Sequence, residues 1–162
     1  CINEKSPVVT VGLHPYGLNR YYLEEYVRTK FKRHLIVRLP GLVGVGLKKN
    51  ILFDFKHHNQ LQAINSEDTF QFYPMVNLWK DVSFALKNNL SLVHLSAYPI
   101  QVKEIASEVF NLSFENELDR PTIRYDMQSL YAPLWGKELY QYDRRASLEA
   151  IRAYAESSEG ER

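Results

Sequence analysis

Directly after Pro15, Leu18, Tyr22, Leu23, Tyr26 and Val27 recur at the three- and four-residue spacing of one helical face. This spacing predicts a helix from Pro15 to about Lys32. Leu35-Ile36-Val37-Arg38-Leu39 is short, apolar and branched, and Pro40-Gly41 ends it, which is the profile of a strand buried on both faces. A glycine-containing loop over 41–46 leads to a helix beginning near Asn50-Ile51-Leu52-Phe53-Asp54-Phe55, then to two candidate strands, Leu61 to Ile64 and Thr69 to Tyr73. Leu78, Val82, Ala85 and Leu86 mark an amphipathic helix to about Asn88, and Ser91 to Leu95 follows as a second inner strand. Further helices are expected from about Gln101 to Phe110, with Val102, Ile105, Ala106 and Val109 inward, and from about Arg144 to Glu156. Glu115 to Arg120 reads as a charged connector, and 157–162 as a tail with no core-forming residues. Helix followed by inner strand occurs twice, the alternation of a parallel sheet covered by helices, so the fold class is α/β.

The bulk composition narrows the function classes. The 162 residues are 45% hydrophobic and 24% charged, with a formal net charge of +1, the profile of a globular domain without the basic excess expected of a nucleic-acid binder. The basic run Lys30 to His34 sits where it complements the dipole of the predicted helix; the alternative is a phosphate-binding patch. No apolar stretch approaches the roughly 18 to 20 residues of a membrane span, and no leader pattern opens the chain. The lone Cys1 cannot form an internal disulfide, which fits a reducing compartment, so the cytoplasm is the expected location. A chain opening on Cys1 rather than methionine is expected to be an incomplete or processed product. Adjacent His57 and His58 cannot share a helical face as a metal pair does, so no metal site is expected.

Tyr16, Arg20 and Glu24 are spaced by four residues, so a helix would stack them along one flank. A cation fixed beside a phenol favours the phenolate and makes the hydroxyl usable as an acid or base near neutral pH. The alternative is an aromatic at the start of a surface helix beside a solvated arginine. Gly41-x-x-Gly44-x-Gly46 is not read as a phosphate loop, because its glycine order is the reverse of the dinucleotide fingerprint and no helix follows at once.

Pro15-Tyr16-Gly17-Leu18-Asn19-Arg20 with Glu24 resembles the proline-tyrosine-glycine-x-x-lysine-x-x-x-glutamate helix of the NAD-dependent epimerase/dehydratase family, the extended short-chain dehydrogenase/reductases. Val37 to Gly44 is similar to that family's next strand and loop, Asp81 to Ala85 to its aspartate-valine-alanine-x-alanine helix, and Ser91 to Ala97 with Val102 to Ala106 to its last strand and following helix. The resemblance runs from about Glu4 to Phe110. It implies the C-terminal part of a Rossmann-like parallel sheet with a smaller substrate-binding α/β subdomain. The chain would then be a single incomplete domain, with Rossmann-like elements at about 15–40 and 76–97 and substrate-side elements at about 41–75 and 98–156. The missing first half of the fold would be a separate N-terminal segment.

By the same resemblance, Tyr16 is the catalytic acid/base and Arg20 stands where the family has the lysine that holds the nicotinamide ribose. Tyr16, Arg20, Pro40 and Leu42 would meet an NAD or NADP cofactor. Asn50, with Lys48 and Lys49 beside it, and Arg124 with Tyr125 would meet a nucleotide-sugar substrate; Asn50 reads equally as a helix cap. Ser6 and Thr10 are available for the family's upstream serine or threonine, and neither lies in the expected strand-end context. The family often dimerises through the tyrosine-bearing helix, so a homodimer is an expectation. Arginine is larger than lysine and forks, which opens a second reading: a catalytically impaired NAD(P)-binding regulatory or assembly protein of the same fold. A third is an unrelated small α/β binding module.

Overall fold

The computed structural model describes residues 1–158, so 159–162, most of the expected tail, lie outside the described residues. Helix α1 spans Pro15–Lys30; Pro15 occupies its first turn and the His14 ring accepts the Tyr16 amide at 3.2 Å. Strand β1 (Ile36–Arg38) pairs in parallel with β5 (Leu92–His94), and β2 (Gly41–Val43) in parallel with β4 (Phe72–Pro74). Strand β3 (Thr69–Phe70) runs antiparallel to β6 (Ile100–Gln101). Helices α2 (Ile51–His57), α3 (Leu78–Lys87), α4 (Val102–Phe110) and α5 (Arg144–Glu156) complete the regular elements. The fold is α/β with parallel strand pairs, as the helix–strand alternation predicts.

Local chemistry accounts for the helix ends. Asn50 caps α2 by accepting the Leu52 amide at 2.9 Å, and Asp143 caps α5 by accepting the Ala146 amide at 3.0 Å. His58 and Asn111 close α2 and α4 in the left-handed conformation. Exposed His57 stacks beside Phe53, with the ring centroids 4.2 Å apart.

Three expectations need correction. Leu61–Ala63 is a 3-10 turn, held by the Ala63 and Ile64 amides on the Gln60 and Leu61 carbonyls. Among the described residues no strand pairs with it. Residues 41–43, expected to be loop, form β2, because the carbonyl of Gln71 approaches so closely that a Cβ on Gly41 would lie 2.8 Å from it. The glycine serves strand packing. The single strand expected over Thr69 to Tyr73 is split at Gln71, whose side chain turns inward: its Nε2 donates to the Ala97 and Met127 carbonyls and its Oε1 accepts the Met127 amide.

The core lies between the strand pairs and α2 to α5. Val43, Leu52, Phe72, Ile100, Ile105, Leu148 and Ile151 form one apolar cluster, and Tyr73, Ala85, Val93 and Leu95 another. Each large aliphatic side chain buried there contributes about 1.5–3 kcal/mol. Within the second cluster sits Asp81, 1% exposed. Its carboxylate accepts hydrogen bonds from the hydroxyls of Tyr73 (2.6 Å) and Tyr142 (2.7 Å) and from the Trp135 indole (3.0 Å). Burial first, and then the Asp81 carboxylate, push both phenols above the ordinary phenol range, so they remain donors.

Helix α1 departs from expectation most. None of its residues is fully buried, and Tyr22, Leu23 and Tyr26 are exposed. Its apolar face, read from the spacing of Leu18 to Val27, is largely free of the rest of the described chain.

The Asp81 hub gives the fold's test. Replacing Asp81 by alanine leaves buried donors unpaired and should lower the unfolding free energy by about 3 kcal/mol, read by urea denaturation; a loss below about 1 kcal/mol would refute the hub's importance.

Candidate active site

In parallel sheets, ligands bind beyond the carboxyl ends of the strands. Such a place exists here. After Arg38 ends β1, Leu39 and Pro40 lead into β2, and Pro40 forms one wall of a cavity of about 260 Å³ whose other walls include Gln71, Arg124, Tyr125 and Asp126. Ile2 and Met127 add apolar lining. The walls are fixed by strand-like contacts between distant segments: Ile2 bridges Met127 and Thr69 bridges Arg124, both in parallel sense.

The polar side chains around the cavity are unequally committed. Gln71, 1% exposed, uses its whole amide on backbone groups and holds Met127 against the strand it interrupts. Asp126 accepts the Tyr140 hydroxyl at 2.7 Å, and burial, followed by that hydrogen bond, pushes the Tyr140 phenol up to about 12. Tyr125, 54% exposed, stands edge-on to Phe70 with ring centroids 5.4 Å apart. Among the described residues the exposed Arg124 guanidinium makes no ion pair or hydrogen bond, but its charge acts on Glu67, whose carboxyl is held below the ordinary glutamate range first by the Lys103 hydrogen bond and, less, by Arg124. A cation beside an exposed aromatic ring can hold a phosphate and a flat ring.

Pro40, Arg124 and Tyr125 are thus brought together, whereas Tyr16, Arg20, Leu42 and Asn50 do not line this cavity. Arg20 Nη2 donates to the Tyr16 hydroxyl at 3.4 Å, and its guanidinium carbon lies 5.2 Å from the ring centroid, so the expected pair forms. The expected stack of three does not. Glu24 turns to β1, where Arg38 donates Nε to Oε1 at 2.9 Å and Nη2 to Oε2 at 2.6 Å. The bidentate Arg38 contact directs Glu24 to β1, and on its own helix Glu24 meets Arg28 at 3.8 Å rather than Arg20. Tyr16 itself is 67% exposed. Leu42 packs toward the apolar core, and its carbonyl accepts Asn50 Nδ2 at 3.1 Å, so both polar ends of the Asn50 side chain are used in structure. The Ser6 hydroxyl accepts the Asn3 amide at 2.9 Å within a turn.

Residues that sequence reasoning passed over build the site's frame. The Glu4 carboxylate accepts the His94 amide (2.8 Å), the Ser129 hydroxyl (2.6 Å) and the Leu130 amide (2.8 Å), and so ties residues 1–6 to β5 and to the cavity wall. Burial opposes its ionisation, but these donors together hold it below the ordinary glutamate range. Gln71 carried a faint signal, a polar residue inside Phe70 to Tyr73; Glu4 and Asp126 carried none, since their partners are distant in sequence. Among the described residues no group of three or more His, Cys, Asp or Glu could hold a metal, and no helix is long and apolar enough to cross a membrane.

No family model and no curated protein matches the chain. Solved structures do. A UDP-galactose 4-epimerase superposes with a TM-score of 0.65 at 18% identity, over 95% of this chain and 55% of its own. The Bordetella bronchiseptica enzyme WbmG, solved in complex with NAD, gives 0.72 at 13% identity over 94% and 52%. The dTDP-4-dehydrorhamnose reductase from Yersinia enterocolitica gives 0.66 at 17% identity over 95% and 59%. At these identities the likeness is one of fold, and the chain spans a little over half the length of each. The fold is therefore part of the Rossmann-like architecture of these epimerases and reductases.

Glu4 provides the site's test, with its sign fixed by the depressed carboxyl. Its stabilisation is complete above the unfolded value, about 4.3, and is lost as pH falls through the lower folded value. Glu4→Gln should therefore destabilise by about 1–3 kcal/mol at pH 7, and the gap from wild type should close in strong acid. A pH-independent gap in urea unfolding would contradict this origin.

Proposed function

We propose that this chain is the C-terminal, substrate-side part of an NAD(P)-dependent epimerase, dehydratase or reductase acting on a nucleotide sugar in the cytoplasm. The observation that carries the reading is the cavity at the carboxyl end of β1, walled by Pro40, Tyr125 and Arg124, with the Tyr16–Arg20 pair on the helix leading into that strand. The fold shared with UDP-galactose 4-epimerase and with NAD-bound WbmG supports it. So does the Arg124 guanidinium at the cavity wall, a cation that can meet a diphosphate.

The described residues fit only one end of the cofactor. A dinucleotide's pyrophosphate needs a strand, a glycine turn and a helix N-terminus in succession, and Gly41 to Gly46 instead holds β2 and a turn. Tyr16, Arg20 and Pro40 are assigned to the nicotinamide-ribose end. When bound, the nicotinamide accepts or returns a hydride. Tyr16 exchanges a proton with the substrate oxygen at its hydroxyl, and Arg20, donating to that hydroxyl at 3.4 Å, orients it. Pyrophosphate binding falls to a preceding segment of the same fold. That segment also covers the exposed face of α1 and the edge of β1 that β5 does not pair. A homodimer through the remaining surface of α1 is compatible with the same exposure.

One observation favours a second reading. Arginine in place of lysine presents a forked cation to the phenol, which suits a protein that keeps NAD(P) as a ligand and acts as a regulator or assembly partner. A single substitution separates the two. In the full-length protein, Tyr16→Phe should lower turnover of a UDP-sugar with NAD by about 10²–10⁴-fold with little change in dinucleotide affinity. Wild-type protein that binds NAD(P) yet turns over no nucleotide sugar would establish the regulator instead. Arg124→Ala should raise KM for the diphosphate substrate about tenfold or more; an unaltered KM would remove Arg124 from the site.

A further inference from the structure

Helix α1 carries the Tyr16–Arg20 pair but has no buried residue, so apolar packing does little to fix its rotation about its own axis. Among the described residues, Glu24 is the α1 side chain that hydrogen-bonds to another element, and the element is β1, through Arg38. What holds Arg38 in turn is the strand register: in the parallel pair Arg38 stands opposite His94. His94 is 1% exposed. Its Nδ1 lies 3.0 Å from the Gln128 carbonyl, which can only accept, so the ring proton sits on Nδ1. Nε2 is thereby left as an acceptor, 3.5 Å from Arg38 Nη1. The His94 amide donates to Glu4, the carboxylate that anchors residues 1–6. One polar chain therefore crosses the molecule: Gln128, His94, Arg38 and Glu24, with Glu4 bracing His94 from behind.

We infer that Glu24, Arg38 and His94 are positioning residues, which set the rotation of α1 and hence the direction of the Tyr16 phenol and the Arg20 guanidinium. The catalytic part of this inference rests on the function proposed above; the anchoring part does not. Each member of the chain has a distinct task. Arg38 uses a fork that lysine could not reproduce, Glu24 converts that fork into an angular constraint on the helix, and the neutral imidazole keeps the guanidinium from swinging out of the sheet plane. The same geometry makes the anchor sensitive to acid. An imidazolium would turn a second N–H toward Arg38, with Glu4 and Glu24 the acidic groups facing it, and burial already holds His94 below the ordinary imidazole value.

The test measures amide hydrogen exchange along α1 in the full-length protein, alongside steady-state kinetics with NAD and a UDP-sugar. His94→Asn retains an N–H that can reach the Gln128 carbonyl and removes the acceptor facing Arg38; Glu24→Gln, on the outer helix, breaks the anchor at its other end without touching the buried ring. Both variants should keep wild-type circular dichroism while α1 amides exchange about tenfold faster or more. With that loosening, kcat should fall about tenfold at unchanged KM for the dinucleotide. In wild type, α1 exchange, corrected for intrinsic rates, should accelerate as pH falls below the ordinary imidazole range, and His94→Asn should lack that acceleration. Wild-type exchange rates along α1 in both variants would overturn the inference. Faster exchange with no turnover in any form of the protein would support the anchor and overturn the enzyme reading instead.

Discussion

Parallel strands only three residues long contribute few backbone hydrogen bonds, so the pairing of β1 with β5 depends on the side chains its register sets opposite one another. Val37 opposite Val93 places apolar surface toward the core, while Arg38 opposite His94 ends the pair in a polar contact that reaches outward to α1 and inward to residue 128. A register slip by one residue would invert every side chain. It would take the guanidinium away from Glu24 and shift Pro40, and with it one wall of the cavity. The orientation of the helix and the location of the cavity thus follow from one alignment.

Around that alignment, buried polar groups are satisfied without excess. Gln71 saturates its amide on three backbone groups of distant segments, Asp81 takes three neutral donors, and Glu4 three more. Among the described residues no buried side-chain polar atom lacks a partner. Arg124 is exposed and lies at the cavity wall, where its guanidinium makes no hydrogen bond among the described residues, and its neighbour Tyr125 offers an exposed ring. Beside Tyr16 the contact is made by a forked guanidinium, which donates to the phenol and lies over its ring.

Periodicity located α1, α3, α4 and α5 to within a few residues, because helical spacing and caps such as Asp143 are local properties. The inner strands were legible for the same reason, as short branched runs ended by proline and glycine. Helix–strand alternation carried the fold class, the motif resemblance brought Pro40 into consideration, and Pro40 shares one cavity with the candidates Arg124 and Tyr125. Failures fell where the neighbour, rather than the chain itself, decides. Leu61 to Ile64 has a strand's composition but no strand pairs with it among the described residues, and Gly41 is a glycine because Gln71 from thirty residues away presses against it.

By itself, then, the sequence determined which segments coil and which extend, and set Tyr16 and Arg20 one helical turn apart, since these depend on contacts within a few residues. Only the tertiary structure decided that Glu24 serves Arg38 rather than Arg20, that Glu4 and Gln71 frame the cavity, and that Arg124 lies at its wall. Those outcomes rest on hydrogen-bond partners many residues apart, whose meeting is fixed by strand register and leaves no trace in local spacing.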